Sequence, residues 1–354
     1  MKKFVTACLS LVMAATMFGC AAKEEKFELA LITDLGTIDD KSFNQGSWEG
    51  LAQYAEEKKI SHKYYQPSEQ SDDAYLTAID LAVKGGAKVV VTPGFLFETP
   101  VYVAQDRYPD VNFILIDGSP HDANYNYKTS QNAVGVSYAE EQAGFLAGYA
   151  AVKDGYRKLG FVGGMAVPAV VRYGYGFVQG ADAAGFELGL SKGSISINYH
   201  YTGAFVASPE AQSLSASWYN DGVEVIFACG GAVGNSVMAA AEQSGKKVIG
   251  VDVDQSKESE TVITSALKGL KASVYDCLKK YYDKQFPGGQ DLVYAAENDG
   301  VGLVVDTAKF NSFSKADYDA IFAKLKANEI FISNDTDQAV TALPLAVSTV
   351  TEVK

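Results

Sequence analysis

Leu29–Tyr54, LALITDLGTIDDKSFNQGSWEGLAQY, opens on the apolar run Leu29-Ala30-Leu31-Ile32 and then turns abruptly polar through Thr33, Asp34, Gly36, Asp39, Asp40, Lys41, Ser42, Phe43, Asn44 and Gln45. An amphipathic pattern resumes at Trp48, so the stretch reads as a buried strand, a polar loop and the start of a helix. In open α/β sheets, ligands bind in the crevice beyond the carboxyl ends of the strands. A loop of carboxylates and amides at such an end is therefore a candidate binding edge. Phe43 offers a π face, and the neighbouring Asn44 offers an amide that both donates and accepts, a pairing suited to a planar heterocycle. The same loop fits a second reading, in which Asp39, Asp40 and Ser42 cap the helix and Phe43 enters the core.

Working outward, strand-like and helix-like segments alternate along the whole chain. The strands read as Phe27–Ile32, Ile60–Tyr65, Lys88–Val91, Asn112–Ile116 and Ala133–Val136, then Lys158–Val162, Ser194–His200, Val223–Ala228 and Lys247–Val251. Helical patterns fall at Trp48–Lys58, Asp72–Lys84, Thr99–Tyr108, Ala139–Val152, Tyr173–Ala184, Pro209–Asn220 and Asn235–Ser244. This βαβ rhythm implies an α/β fold with parallel sheets and right-handed crossovers. Two similar halves meet near Val134–Tyr138 with no low-complexity linker, so the lobes are expected to share several chain crossings. A helix over Ala266–Phe286 and a last strand around Gly302–Val305 would supply the others. The tail from Ile332 to Lys354 shows no clear pattern.

Lys2-Lys3 and the apolar run Phe4–Phe18 have the form of a secretory signal, shorter than the roughly 20 apolar residues of a membrane span. The sequence Met17-Phe18-Gly19-Cys20, followed by Lys23-Glu24-Glu25-Lys26, resembles a bacterial lipoprotein signal in which Cys20 is lipidated and becomes the first mature residue. The mature chain is then expected outside the cytoplasmic membrane, held by lipid. Of four cysteines, Cys229 and Cys277 lie in the globular part and are expected to be buried free thiols. A mature length of about 330 residues exceeds what one core usually holds, hence two lobes. A formal net charge of -13 argues against nucleic acid and anionic membrane surfaces as partners. The three histidines, His62, His121 and His200, have no ligand spacing, so no metal is expected.

Other strand ends carry suitable groups too. Phe113–Ile116 delivers Asp117-Gly118, Val225–Ala228 delivers Gly230-Gly231, and Val248–Val251 delivers Asp252-Val253-Asp254-Gln255. A carboxylate accepts two hydrogen bonds at once and can bridge vicinal hydroxyls or the N–H groups of a purine edge. Gly230, Gly231 and Gly234 let backbone approach a ligand. Neither Gly163-Gly164 nor Gly230–Gly234 has the spacing of a phosphate cradle, which favours a neutral ligand. No nucleophile elbow and no zinc-protease motif is present. The paired acids Asp39-Asp40 and Glu140-Glu141 read as solvated or capping residues. No enzymatic activity and no cofactor is expected.

Taken together, the segments ITDLGTIDDKSFNQGSWEGL, DGSP (Asp117–Pro120), EEQAGFLAGYAA (Glu140–Ala151), RYGYGFVQG (Arg172–Gly180), VIGVDVDQ (Val248–Gln255) and TSALKGLKASVYD (Thr264–Asp276) resemble the basic membrane protein (BMP) family of substrate-binding lipoproteins. The likeness runs through nearly all of the chain after Phe27, and the chain is similar to the purine nucleoside receptor A group. It implies a type I periplasmic-binding-protein fold of two Rossmann-like lobes joined by a three-strand hinge. Residues 27–135 with 264–297 would form the N-terminal lobe, and 136–263 with 298–354 the C-terminal lobe. Residues 1–19 would be the signal and 20–26 the tether. The resemblance also implies a monomer delivering purine nucleosides to an ABC permease and its ATPase. On this mapping Phe43 and Phe205 stack on the base, and Asp117 and Asn44 read its edge. Asp34, Ser42, Gly230 and Gly231 line the pocket, while Asp252 and Lys268 hold the ribose. The family includes riboflavin binders, so a riboflavin-binding or sensing lipoprotein uncoupled from transport is the alternative.

Overall fold

The computed structural model describes residues 26–34 and 36–353; the signal segment and the lipidation reading at Cys20 lie outside the described residues. β1 (Leu29–Ile32) is buried along its whole length, as a central parallel strand covered on both faces must be. α1 (Phe43–Lys58) follows, starting five positions before the Trp48 read from the pattern. Its early start has a local cause: the Asp40 carboxylate accepts the backbone N–H groups of Ser42, Asn44 and Gln45 at 2.9–3.1 Å, supplying the cap that a helix N-terminus needs. β2 (His62–Tyr65), α2 (Asp72–Lys84), β3 (Val89–Pro93), α3 (Glu98–Arg107), β4 (Asn112–Ile116) and β5 (Ala133–Tyr138) complete the first run of βαβ units.

The chain then crosses to the second sheet through α4 (Glu140–Lys153), β6 (Lys158–Gly163), α5 (Pro168–Glu187), β7 (Ile195–Tyr201), α6 (Pro209–Asn220), β8 (Val225–Cys229), α7 (Val233–Ser244), β9 (Lys247–Asp252) and β10 (Val262–Lys268). Here the reading of Ala266–Phe286 as one helix is overturned. Ala266-Leu267-Lys268 are the end of β10, parallel to β9, and Gly269 separates them from α8 (Leu270–Tyr282), which packs against α1 in the first lobe. Ala, Leu and Lys favour a helix locally, but pairing between two strands overrides that preference. The chain returns to the first sheet as β11 (Gln290–Tyr294), crosses back as β12 (Val301–Leu303), and ends with α9 (Lys315–Lys326) and β13 (Ser348–Glu352).

The two sheets have strand orders β11-β5-β4-β3-β1-β2 and β12-β10-β9-β8-β6-β7-β13. Among the described residues the named strands pair in parallel, except β12 with β10. The chain passes between them three times, at Tyr138–Glu140, Lys268–Leu270 and Tyr294–Val301. The unpatterned tail proves to hold β13, an edge strand beside β7. Asp182 on α5 fixes it, accepting the backbone N–H groups of Ala346, Val347 and Ser348 at 2.6–2.8 Å.

α4 and α5 form the tightest element pair. A Cβ placed on Gly144 or Gly148 would lie 2.1 or 2.0 Å from the carbonyl oxygens of Tyr173 or Phe177. One placed on Gly176 or Gly180 would lie 2.0 Å from those of Glu141 or Phe145. The backbones therefore touch, and only glycine fits at these four positions. This contact brings Glu140 and Glu141, at the start of α4, beside Arg172 and Tyr173 on α5.

Candidate functional site

Residues that follow the strand ends of both sheets enclose a cavity of about 310 Å3, at the small end of the range for small-molecule sites. From the first lobe it takes Asp34, Phe43, Asn44 and Asp117; from the second, Phe205, Gly230, Gly231, Asp252 and Lys268. Lys268 ends β10 in the second sheet and is not in the N-terminal lobe expected to include residues 264–297. Ser42 and Gly234, both singled out in sequence, are not part of the lining; Gly234 lies in the first turn of α7. Ser42 sits behind, where its Oγ donates across the cleft to Asp252 Oδ2 at 2.5 Å. It occupies the N-cap position of α1 without capping, since Asp40 does that instead. Gln255 Nε2 makes a second bond between lobes, to the Lys41 carbonyl oxygen at 2.7 Å.

Asn44 is held by two carboxylates: its Nδ2 donates to Asp34 Oδ1 at 3.0 Å and to Asp40 Oδ2 at 2.9 Å. Because carboxylates only accept, the amide orientation is fixed and both donors are used. The side chain then presents only Oδ1, which is buried with no partner among the described residues. The expectation that Asn44 both donates and accepts toward a ligand is thereby narrowed to accepting. Burial pushes the Asp34 carboxyl above its ordinary range, against the bonds from Gly36 and Asn44.

Lys268 is the electrostatic centre. Its Nζ donates to Asp117 Oδ2 at 2.6 Å and lies 3.0 Å from Glu140 Oε1, with the rings of Phe43, Tyr138 and Tyr173 at 5.1–5.3 Å. Burial alone would lower its pKa, but Asp117, Glu140 and Asp252 outweigh burial and hold it protonated. Burial pushes Asp117 up to about 7, opposed by Lys268, and raises Asp252 against Lys268 and the Ser42 hydroxyl. Both aspartates occupy left-handed backbone, at φ 61° and 66°, a region Asp tolerates better than most side chains. That conformation turns each strand end sharply into the cleft. Asp117 Oδ1 is a further buried acceptor with no partner among the described residues.

Glu140 and Glu141 are not solvated, contrary to the sequence reading. Glu140 is fully buried between Lys268 and Arg172, whose Nε donates to its Oε2 at 2.7 Å. Burial would raise Glu140, but the two cations outweigh it and depress its pKa. The second ring, Phe205, lies on the Gly164 backbone: a Cβ there would meet the ring at 2.5 Å. Cys229 and Cys277 are buried free thiols, and burial raises both, Cys277 to about 12. Sequence reasoning missed Tyr173, Glu140 and Gly164. The signal available for the first two was the four-residue glycine spacing in both EEQAGFLAGYAA and RYGYGFVQG, which marks two helices packed backbone to backbone.

Two parallel α/β sheets, crossed three times by the chain and enclosing a cavity at their strand ends, define a solute-binding protein of the periplasmic-binding-protein type I fold. A solved solute-binding protein of an ABC transporter system from Aeropyrum pernix K1 shares this fold, with a TM-score of 0.71 over 89% of both chains at 22% identity. The chain belongs to the Bmp family: the model described as ABC transporter substrate-binding protein PnrA-like matches residues 27–337. It is 30% identical to the ABC transporter nucleoside-binding protein BmpA of Lactococcus lactis subsp. cremoris (strain MG1363), across 92% of this chain and 99% of that one. It is 29% identical to basic membrane protein D of Borreliella burgdorferi (strain JD1), across 92% and 91%. The family is one of substrate-binding proteins, not enzymes, and such subunits work outside the cytoplasm. Among the described residues no helix is long and apolar enough to cross a membrane.

Proposed function

We propose that this protein captures a purine nucleoside between its lobes, as a monomer anchored by lipid on Cys20, and presents it to an ABC permease and its ATPase. The observation that carries this reading is the lining of one cavity by an aromatic ring from each lobe, Phe43 and Phe205, together with strand-end carboxylates. The rings suit the two faces of a planar base. Asn44 Oδ1 and Asp117 Oδ1 are acceptors, so the ligand edge they meet must carry N–H or O–H donors. Asp252 would accept from the sugar hydroxyls. The acidic lining, whose one lysine is committed to Asp117 and Glu140, disfavours a phosphate. The nucleoside-binding relative from Lactococcus supports the same ligand class.

Calorimetric titration of the chain lacking residues 1–20, refolded to strip carried-over ligand, tests the reading. Guanosine, inosine or adenosine should bind tightly, and cytidine and riboflavin weakly or not at all. A response confined to riboflavin, or none to any nucleoside, would overturn the ligand assignment.

A further inference from the structure

Tyr173, in the second turn of α5, has a role that the ligand-capture reading does not yet include. Its side chain is 1% exposed and its ring packs edge-on against Phe227, with centroids 5.8 Å apart. It lines the cavity, and its hydroxyl is buried without a hydrogen-bond partner among the described residues. A buried orphan hydroxyl is destabilising, and where a native protein keeps one it calls for an explanation. Phenylalanine would fill the same space without it.

The surroundings say what the hydroxyl is for. Burial foremost, and after it the negative charge of Asp252 with smaller effects from Glu140 and Asp117, keeps the phenol protonated. It is therefore an O–H donor lining the same cavity as the Asp252 carboxylate. Asp252 Oδ2 already accepts from Ser42, and a carboxylate has no proton to give. A ligand atom bound by both Asp252 and Tyr173 must donate to the first and accept from the second. An ammonium or the amino group of a base ring lacks the second capacity and a carbonyl oxygen the first; a hydroxyl has both.

We propose that the Tyr173 hydroxyl donates a hydrogen bond to a ligand hydroxyl that itself donates to Asp252, making Tyr173 a specificity-determining residue for one hydroxyl of the bound pentose. The inference rests on the nucleoside reading above and adds to it a group that recognises the sugar. The tight contact of α4 with α5 holds the donor in place, since the Tyr173 carbonyl abuts Gly144.

The test compares wild type with Tyr173→Phe by calorimetry, using inosine, its 2′-, 3′- and 5′-deoxy counterparts and hypoxanthine, and records ligand-free melting temperatures. The variant should bind inosine roughly 10-fold more weakly. For one of the three deoxynucleosides the two proteins should bind alike, because the hydroxyl that Tyr173 serves is already missing. The melting temperature should be unchanged or higher, since the orphan hydroxyl has gone. Inosine affinity within twofold of wild type overturns the inference, as does an equal loss for all three deoxynucleosides and hypoxanthine. A lower melting temperature with such an equal loss would make Tyr173 a packing residue. Failure of wild type itself to bind any nucleoside is a separate result, which removes the ligand assignment and this inference with it.

Discussion

Asp252 illustrates how much one residue must do in this cleft. It ends β9 in left-handed backbone, accepts from Ser42 of the opposite lobe, and lines the cavity. Alanine at this position would remove the carboxylate and also place a poor residue at positive φ, confusing binding with strain. Asparagine tolerates that backbone and keeps the shape, so Asp252→Asn isolates the charge. Its loss should weaken nucleoside binding by about 2 kcal/mol, the scale of a hydrogen bond to an ionised group. Calorimetry on a variant with unchanged circular dichroism checks this, and an affinity equal to wild type would remove Asp252 from the ligand's contacts. Such strand-end aspartates were legible in the sequence because their signal is local, an apolar run stopped by Asp. Tyr173 was not, because what makes it functional is the helix that α5 packs against.

At the scale of elements, the α4–α5 pair decides where half the site lies. Glycine at 144, 148, 176 and 180 lets the helix backbones touch, and that approach seats Glu140 against Lys268 and brings Tyr173 to the cavity. Gly148→Ala would put a Cβ 2.0 Å from the Phe177 carbonyl oxygen, which is backbone and cannot swing away. The helices must then separate, and stability should fall by about 3 kcal/mol or more. Chemical denaturation measures this; a change under 1 kcal/mol would mean the pair can slide at little cost. The alternating elements could be read because strand and helix periods differ, whereas β10, β11, α9 and β13 have no counterpart in that reading. The end of β10, Ala266-Leu267-Lys268, has a helix former's composition and is a strand only through its neighbours β9 and β12. β13 depends on the carboxylate of Asp182, more than 160 residues earlier in the chain.

Across the whole molecule, the lobes meet over a store of buried acid. Asp117, Asp34 and Asp252 at the cavity, and Glu98 and Glu141 beside it, are all raised, with burial as the foremost cause. Asp117 is the one pushed as far as about 7, facing Lys268 from β10, Glu140 from α4 and Asp252 from β9. A carboxyl whose folded pKa exceeds its unfolded value of 3.8 binds more protons when folded. Its contribution to stability is therefore complete below that value and lost as pH rises through about 7. Acids held low, such as Glu140, change charge below this window, and Lys268, held high, above it. The ligand-free protein should consequently be more stable at pH 5.5 than at 7.5, by up to about 2 kcal/mol for Asp117 alone. Asp117→Asn should flatten that slope while leaving left-handed backbone tolerated at this position. Denaturation midpoints for both proteins at the two pH values decide the matter: stability that rises with pH in wild type, or a slope that Asp117→Asn leaves intact, would place the titrating group elsewhere.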